Sequence, residues 1–187
     1  MIHVLIAGCA GRMGKRIVGL ALRDKRFSVA GAFEKLGSSV IGEDIATLAG
    51  MSPTGVTIDG DVRASLSKTK VVIDFTSPQA TMQNLKAVVE KRKKMVIGTT
   101  GLSDRQRRII EEAGRKTAIV CAPNMSVGVN LLFALSARVA SVLNDDYDIE
   151  IVEAHHRLKK DAPSGTAQEL VRQVAQARKY NLRKDVC

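Results

Sequence analysis

At 187 residues, 45% hydrophobic and 26% charged, the chain has the proportions of a soluble globular protein of one domain, or of one domain and part of another. No apolar run approaches the ~18 residues of a membrane span, and Cys9, Cys121 and Cys187 fit neither a disulfide framework nor a zinc knuckle, so reduced thiols in the cytoplasm are expected. The net charge of +10 points to an anionic partner or to a basic surface without one, and aromatics at 3% with no nucleic-acid-binding motif turn the choice from nucleic acid toward a small polyanion.

The N-terminus, "MIHVLIAG", has no basic leader and reads as a first strand rather than a signal peptide. Its apolar run from His3 to Gly8 predicts a strand covered on both faces. Met13, Ile17, Leu20 and Ala21 recur at helical spacing up to Arg23. Phe27–Phe33 predicts a second strand, residues 37–66 are irregular, and Lys70–Thr76 predicts a third strand. A helix follows from Pro78, since proline suits a first turn. Met95–Gly101 predicts a fourth strand, Ser103 and Gln106 a capping box, and Thr117–Asn124 a fifth strand. Strand and helix alternating at this spacing give an α/β fold: a Rossmann-type parallel sheet with helices on both faces. The texture then changes, with a long apolar helix over Val127–Leu143, a strand over Tyr147–Ala154 and an amphipathic helix over Ala167–Lys179. A lone strand is too little sheet for a second domain with its own core, so these elements either dock on the first domain or form an incomplete α+β domain of a sequence cut short.

Between the first strand and helix lies "GCAGRMG", with Gly8, Gly11 and Gly14. It is a looser relative of the dinucleotide turn G-x-G-x-x-G, and it makes the same demand: backbone must come close to a pyrophosphate at a helix N-terminus. It is no P-loop, because Cys9 and Arg16 stand where glycine and Ser or Thr are required. Glu34 lies 20 residues beyond Gly14, where an acid hydrogen-bonds ribose hydroxyls, and Lys35 beside it suits a 2′-phosphate. The pair therefore suggests use of both NADH and NADPH, against the plainer reading of an exposed turn. The turns "FTSP", "GTTG" and "APNM" fall at the carboxyl ends of strands, the ligand edge of such sheets. Thr76 and Thr99 there serve equally well as helix caps.

The stretch "EAHHRLKKDAPSGTA", residues 153–167, crowds two histidines and two lysines before a helix start. Adjacent histidines on a strand face opposite ways, and lysines repel a cation, so no metal site is expected. No nucleophile elbow surrounds a serine. The cluster suits an anionic substrate that takes up a proton: His155 can carry one near neutral pH and Lys159 can act as an acid. Ser164, Gly165 and Thr166 lead into the helix, Thr166 and Glu169 are spaced as a capping box, and free N–H groups there would bind a carboxylate. The competing reading is a solvated basic loop before a capped helix.

This stretch resembles the signature of the dihydrodipicolinate reductase family, and "GCAGRMG", "FEKLGSS", "DFTSP", "VIGTTG" and "APNMSVGVN" match it in order along nearly the whole chain. The resemblance implies hydride transfer from NADH or NADPH to a cyclic dicarboxylate in lysine and diaminopimelate synthesis. It implies a dinucleotide-binding domain over residues 1–124 and a partial substrate-binding and oligomerisation domain over 125–187. Gly8, Cys9, Ala10, Gly11, Arg12 and Met13 would cradle the pyrophosphate, with Glu34 and Lys35 at the ribose end. Gly98, Thr99 and Thr100, with Ala122, Pro123, Asn124 and Met125, would flank the nicotinamide. His155 would donate or accept a proton, Lys159 would be a second donor, His156 would hydrogen-bond substrate, and the Gly165 and Thr166 backbone would take a carboxylate. Lys160 falls at a variable position. Family members are homotetramers that continue well beyond Cys187, so the sequence reads as cut short. The rival readings are a non-catalytic dinucleotide-binding module, a basic nucleic-acid binder, and a dehydrogenase of the same fold acting on another anion.

Overall fold

In the computed structural model the N-terminal apolar run is strand β1 (Ile2–Ala7), near the middle of a six-stranded parallel sheet. The structure describes residues 1–143, 145–155, 157, 162–182 and 184, which divide into two units, Met1–Ala122 and Pro123–Cys187.

In the first unit β1 pairs with β2 (Phe27–Phe33) on one side and β4 (Val71–Asp74) on the other. With β3 (Ile58–Asp59), β5 (Lys94–Ile97) and β6 (Ile119–Cys121) the order is β3-β2-β1-β4-β5-β6. The register aligns Phe33, Ala7, Asp74, Ile97 and Cys121 in one row, so the turns that follow emerge at one edge. The direction of strand addition reverses at β1, which opens a crevice at that edge.

The unbroken apolar run of β1 has its reason in two cores. Val4 and Ile6 join Val18 and Ala21 of helix α1 (Arg12–Arg23) on one face. Leu5 and Ala7 join Leu85 and Val88 of α3 (Pro78–Glu90) and Ile110 of α4 (Asp104–Gly114) on the other. Each side chain as fully buried as Leu5 or Ile6 contributes roughly 1.5–3 kcal/mol. Pro78 opens α3 and the Ser103–Gln106 capping box closes the start of α4, both as the sequence predicts, and Ser77 caps α3. Strand β6 is shorter than the expected Thr117–Asn124, because β5 ends at Ile97 and offers no ladder beyond the Cys121 pair.

The irregular stretch before β4 is organised by one carboxylate. Asp44 accepts N–H bonds from Ala46 (2.8 Å), Thr54 (2.9 Å) and Gly55 (2.6 Å), capping a 3-10 turn at Ile45–Ala49 and clasping the loop after it. Desolvation opposes its charge, but the amide bonds prevail and hold the carboxyl below its ordinary pKa. The short helix α2 (Val62–Ser65) follows, capped by Asp61.

In the second unit Ser126 caps α5 (Val127–Val142), which packs on α6 (Gly165–Arg178). Phe133, Ala140, Ala167, Val174 and Ala175 are its buried apolar residues. Arg178 fastens the end of α6 through Leu143 O (3.0 Å) and Asp145 (2.6 Å). The expected strand over Tyr147–Ala154 does not form, and Val152 is 89% exposed. A strand needs a ladder partner for its N–H and C=O groups, and the described residues of this unit supply none. Among the described residues no helix is long and apolar enough to cross a membrane.

Candidate functional site

The glycine turn leaves β1 through Gly8 at φ +65, a left-handed conformation that glycine adopts freely. The Gly8 and Cys9 amides donate to Phe33 O at 3.0 and 3.3 Å, and Gly11 N–H donates to Gly8 O at 3.0 Å. At Gly14 a Cβ would fall on Gly8 O and lie 2.8 Å from Cys9 Cα, so only glycine lets α1 start this close to the turn. No side chain caps α1 and no acid stands in its first turn. Its free N–H groups and positive end are therefore open to an anion. Arg12 and Met13 occupy that first turn with exposed side chains.

Beside the turn lies a cleft of about 960 Å³, lined in part by Gly8, Ala10, Gly11, Glu34, Lys35 and Arg63. The spacing argument thus brings the glycines, the acid and the base to one place. Glu34 also ties the turn to β2: its carboxylate accepts Ala10 N–H at 3.1 Å and Lys35 N–H at 3.0 Å. Cys9 offers only its backbone. Its side chain is fully buried in the apolar core, and that burial, with the Glu34 charge second, pushes the thiol up to about 11. The donors, the narrow turn and the flanking acid and base suit a dinucleotide: α1 for the pyrophosphate, Glu34 and Lys35 for a ribose end. Arg63 is a further cation on this cleft, and it sits in the stretch whose pattern gave no placement. Its guanidinium is 3.8 Å from Asp61, an exposed pair.

At the same edge sits a buried polar cluster that sequence reasoning missed. Asp74, fully buried at the end of β4, accepts from Thr76 N–H (2.9 Å) and from the Thr76 (2.6 Å), Thr81 (3.2 Å) and Thr99 (3.3 Å) hydroxyls. Asn84 Nδ2 donates to its other oxygen at 2.8 Å. Neither Thr76 nor Thr99 caps a helix, then; Ser77 and Ser103 do, and the two threonines fix the turns after β4 and β5. A polar residue ending an apolar strand, in "VVIDFT", was the available signal. Gly98 is required by the Phe75 ring, which a Cβ there would strike, while Thr100 stands exposed and Ala122 N–H bonds Ile97 O at 3.1 Å.

In the second unit Pro123 is partly buried, Met125 is exposed, and the Asn124 side chain reaches the Thr166 hydroxyl at 3.2 Å. The cap of α6 is Ser164, not Thr166: Ser164 Oγ takes Ala167 N–H at 3.0 Å. Helical geometry begins at Gly165, so Thr166 already lies inside the first turn, too late to cap it. Among the described residues no acceptor meets the Gly165 or Thr166 N–H, which leaves both for an anion. Glu153 lies between this helix start and His155, with Oε1 accepting Ser164 N–H at 2.7 Å and Oε2 3.4 Å from His155 Nδ1. His156, Lys159 and Lys160 lie outside the described residues.

Residues 2–125 match the family model for dihydrodipicolinate reductase, N-terminus, and residues 128–185 match that for dihydrodipicolinate reductase, C-terminus. The chain belongs to the dihydrodipicolinate reductase family. It is 44% identical over 183 residues to the 4-hydroxy-tetrahydrodipicolinate reductase of Geotalea uraniireducens, covering 97% of this chain and 68% of that protein. It is 45% identical over 182 residues to the 4-hydroxy-tetrahydrodipicolinate reductase of Hahella chejuensis, with the same coverage. Among solved structures it is similar to dipicolinate-bound dihydrodipicolinate reductase from Paenisporosarcina sp. TG-14. That likeness has a TM-score of 0.74 at 25% identity over 95% of this chain and 67% of the other. The chain spans about two thirds of the length of these family members. The glycine turn and its cleft fall in the N-terminal family match, and Glu153, His155 and Ser164 fall in the C-terminal one.

Proposed function

We propose that this chain reduces 4-hydroxy-tetrahydrodipicolinate to tetrahydrodipicolinate with NADH or NADPH, a cytoplasmic step of lysine and diaminopimelate synthesis. What carries the reading is a pair of helix starts left open to anions, α1 beside the Glu34–Lys35 cleft and α6 beside His155. Membership of the reductase family supports it.

When bound, the dinucleotide supplies a hydride. The Gly8–Met13 backbone holds its pyrophosphate, and Glu34 and Lys35 hold the ribose end. Lys35 and Arg63, both on the cleft, accommodate a 2′-phosphate. Gly98–Thr100 and Ala122–Met125 flank the ring. The Gly165 and Thr166 amides hold one substrate carboxylate and His156 hydrogen-bonds the substrate. The substrate loses its 4-hydroxyl with a neighbouring proton as water, the hydride adds to the double bond so formed, and the electron-rich product of that addition takes its proton from His155 or Lys159. The test is direct: His155→Ala and Lys159→Ala each lower kcat by about 100-fold or more, and near-normal turnover in both contradicts the assignment.

A further inference from the structure

We propose that Glu153 is a positioning residue that sets the tautomer of His155 and, with its other oxygen, holds the α6 start where a substrate carboxylate docks. The proposal rests on the reductase reading for the roles of His155 and α6. Its own basis is one carboxylate used twice. Oε1 accepts Ser164 N–H at 2.7 Å, across 11 positions of chain, and Oε2 stands 3.4 Å from His155 Nδ1. Ser164 is buried and caps α6, so the bond to its amide fixes the turn from which Gly165 and Thr166 present their N–H groups.

An ionised carboxylate only accepts hydrogen bonds. Facing Nδ1, it selects the imidazole that carries its proton there, and Nε2 is left to exchange a proton with substrate. Were the carboxylate absent, the ring could present either nitrogen, and the α6 start would lose its tether to the histidine segment. The two duties separate by substitution. In Glu153→Gln the amide oxygen still accepts from Ser164, but the amide NH2 now faces Nδ1 and favours the opposite tautomer. In Glu153→Ala both duties are lost.

The experiment combines 15N imidazole NMR of the full chain, dipicolinate titration and steady-state kinetics. The His155 signals are assigned with a His155→Gln variant. The expected results are an Nδ1–H tautomer in the parent chain and Nε2–H in Glu153→Gln. Glu153→Gln binds dipicolinate within about 3-fold of the parent and keeps KM, while kcat falls about 100-fold or more, as expected when a general acid–base is mis-set. Glu153→Ala additionally weakens dipicolinate about 10-fold or more, the size of one lost charge-assisted hydrogen bond. An Nε2–H tautomer in the parent, or a tautomer unchanged in Glu153→Gln, overturns the proposal. If no form turns over, the NMR and titration still decide it, and the reductase reading alone is withdrawn.

Discussion

The Asn124 side-chain amide donates to the Thr166 hydroxyl at 3.2 Å, joining residues 42 positions apart. Asn124 also accepts Ser126 N–H at 2.9 Å, and its carbonyl takes Asn130 Nδ2 at 3.1 Å. The lead-in to α5 is thus fastened to the first turn of α6, next to the amides assigned to a substrate carboxylate. Asn124→Ala removes two side-chain hydrogen bonds, each worth about 1 kcal/mol, of which one is the tie to Thr166. Dipicolinate affinity, measured by calorimetry, is expected to fall about 5-fold; unchanged affinity would show that Thr166 needs no such support.

Asp74 accepts the Thr76 amide and gathers the Thr99 and Asn84 side chains around it. Asp74→Ala takes this acceptor from the buried Asn84 amide and from the half-buried Thr76 N–H, at a cost of about 3 kcal/mol or more. Asp74→Asn keeps one acceptor oxygen and should cost less. Urea unfolding of the three proteins checks the order, and an alanine variant as stable as the parent would refute it.

Cys9 and Cys121 should part company toward alkylation. The Cys9 thiol is buried and its pKa is pushed up from 9.0 to about 11, first by burial and then by Glu34. Cys121 lies on exposed edge strand β6. Peptide mapping after brief iodoacetamide treatment at neutral pH is expected to find Cys121 modified and Cys9 untouched until urea is added. The linkage follows in sign: the unfolded thiol ionises first, so the Cys9 contribution is complete below pH 9.0 and is lost as pH rises toward about 11. Cys9→Ala should flatten that part of the alkaline decline in unfolding midpoint.

Much of this was legible in the sequence because it depends on local pattern. The run His3–Gly8 demanded cover on both faces, and two cores supply it. Ser103 with Gln106 demanded a cap and makes one. The spacing from the glycine turn to Glu34 placed Gly8, Gly11 and the acid on one cleft because one helix and one strand lie between turn and acid. What stayed hidden depends on contacts distant in sequence. Asp44 orders its loop by reaching Thr54 and Gly55, and Asp74 reaches Thr99 across 25 positions. No periodicity announces either. Tyr147–Ala154 has the alternation of a strand, but alternation says only which faces differ, and pairing requires an edge to pair with. Ser164 and Thr166 are both good caps, and the bond from Glu153 to the Ser164 amide, invisible in the sequence, accompanies the choice of the first.

The central claim is that this chain carries a nicotinamide-dependent reductase site for a cyclic dicarboxylate. The most direct measurement is the oxidation of NADH and of NADPH by the purified 187-residue protein given freshly generated 4-hydroxy-tetrahydrodipicolinate. The account predicts substrate-dependent loss of reduced cofactor, abolished by His155→Ala and inhibited by dipicolinate. Tight cofactor binding with no oxidation at any substrate concentration would contradict it, and would leave a dinucleotide-binding chain without the chemistry assigned to its second unit.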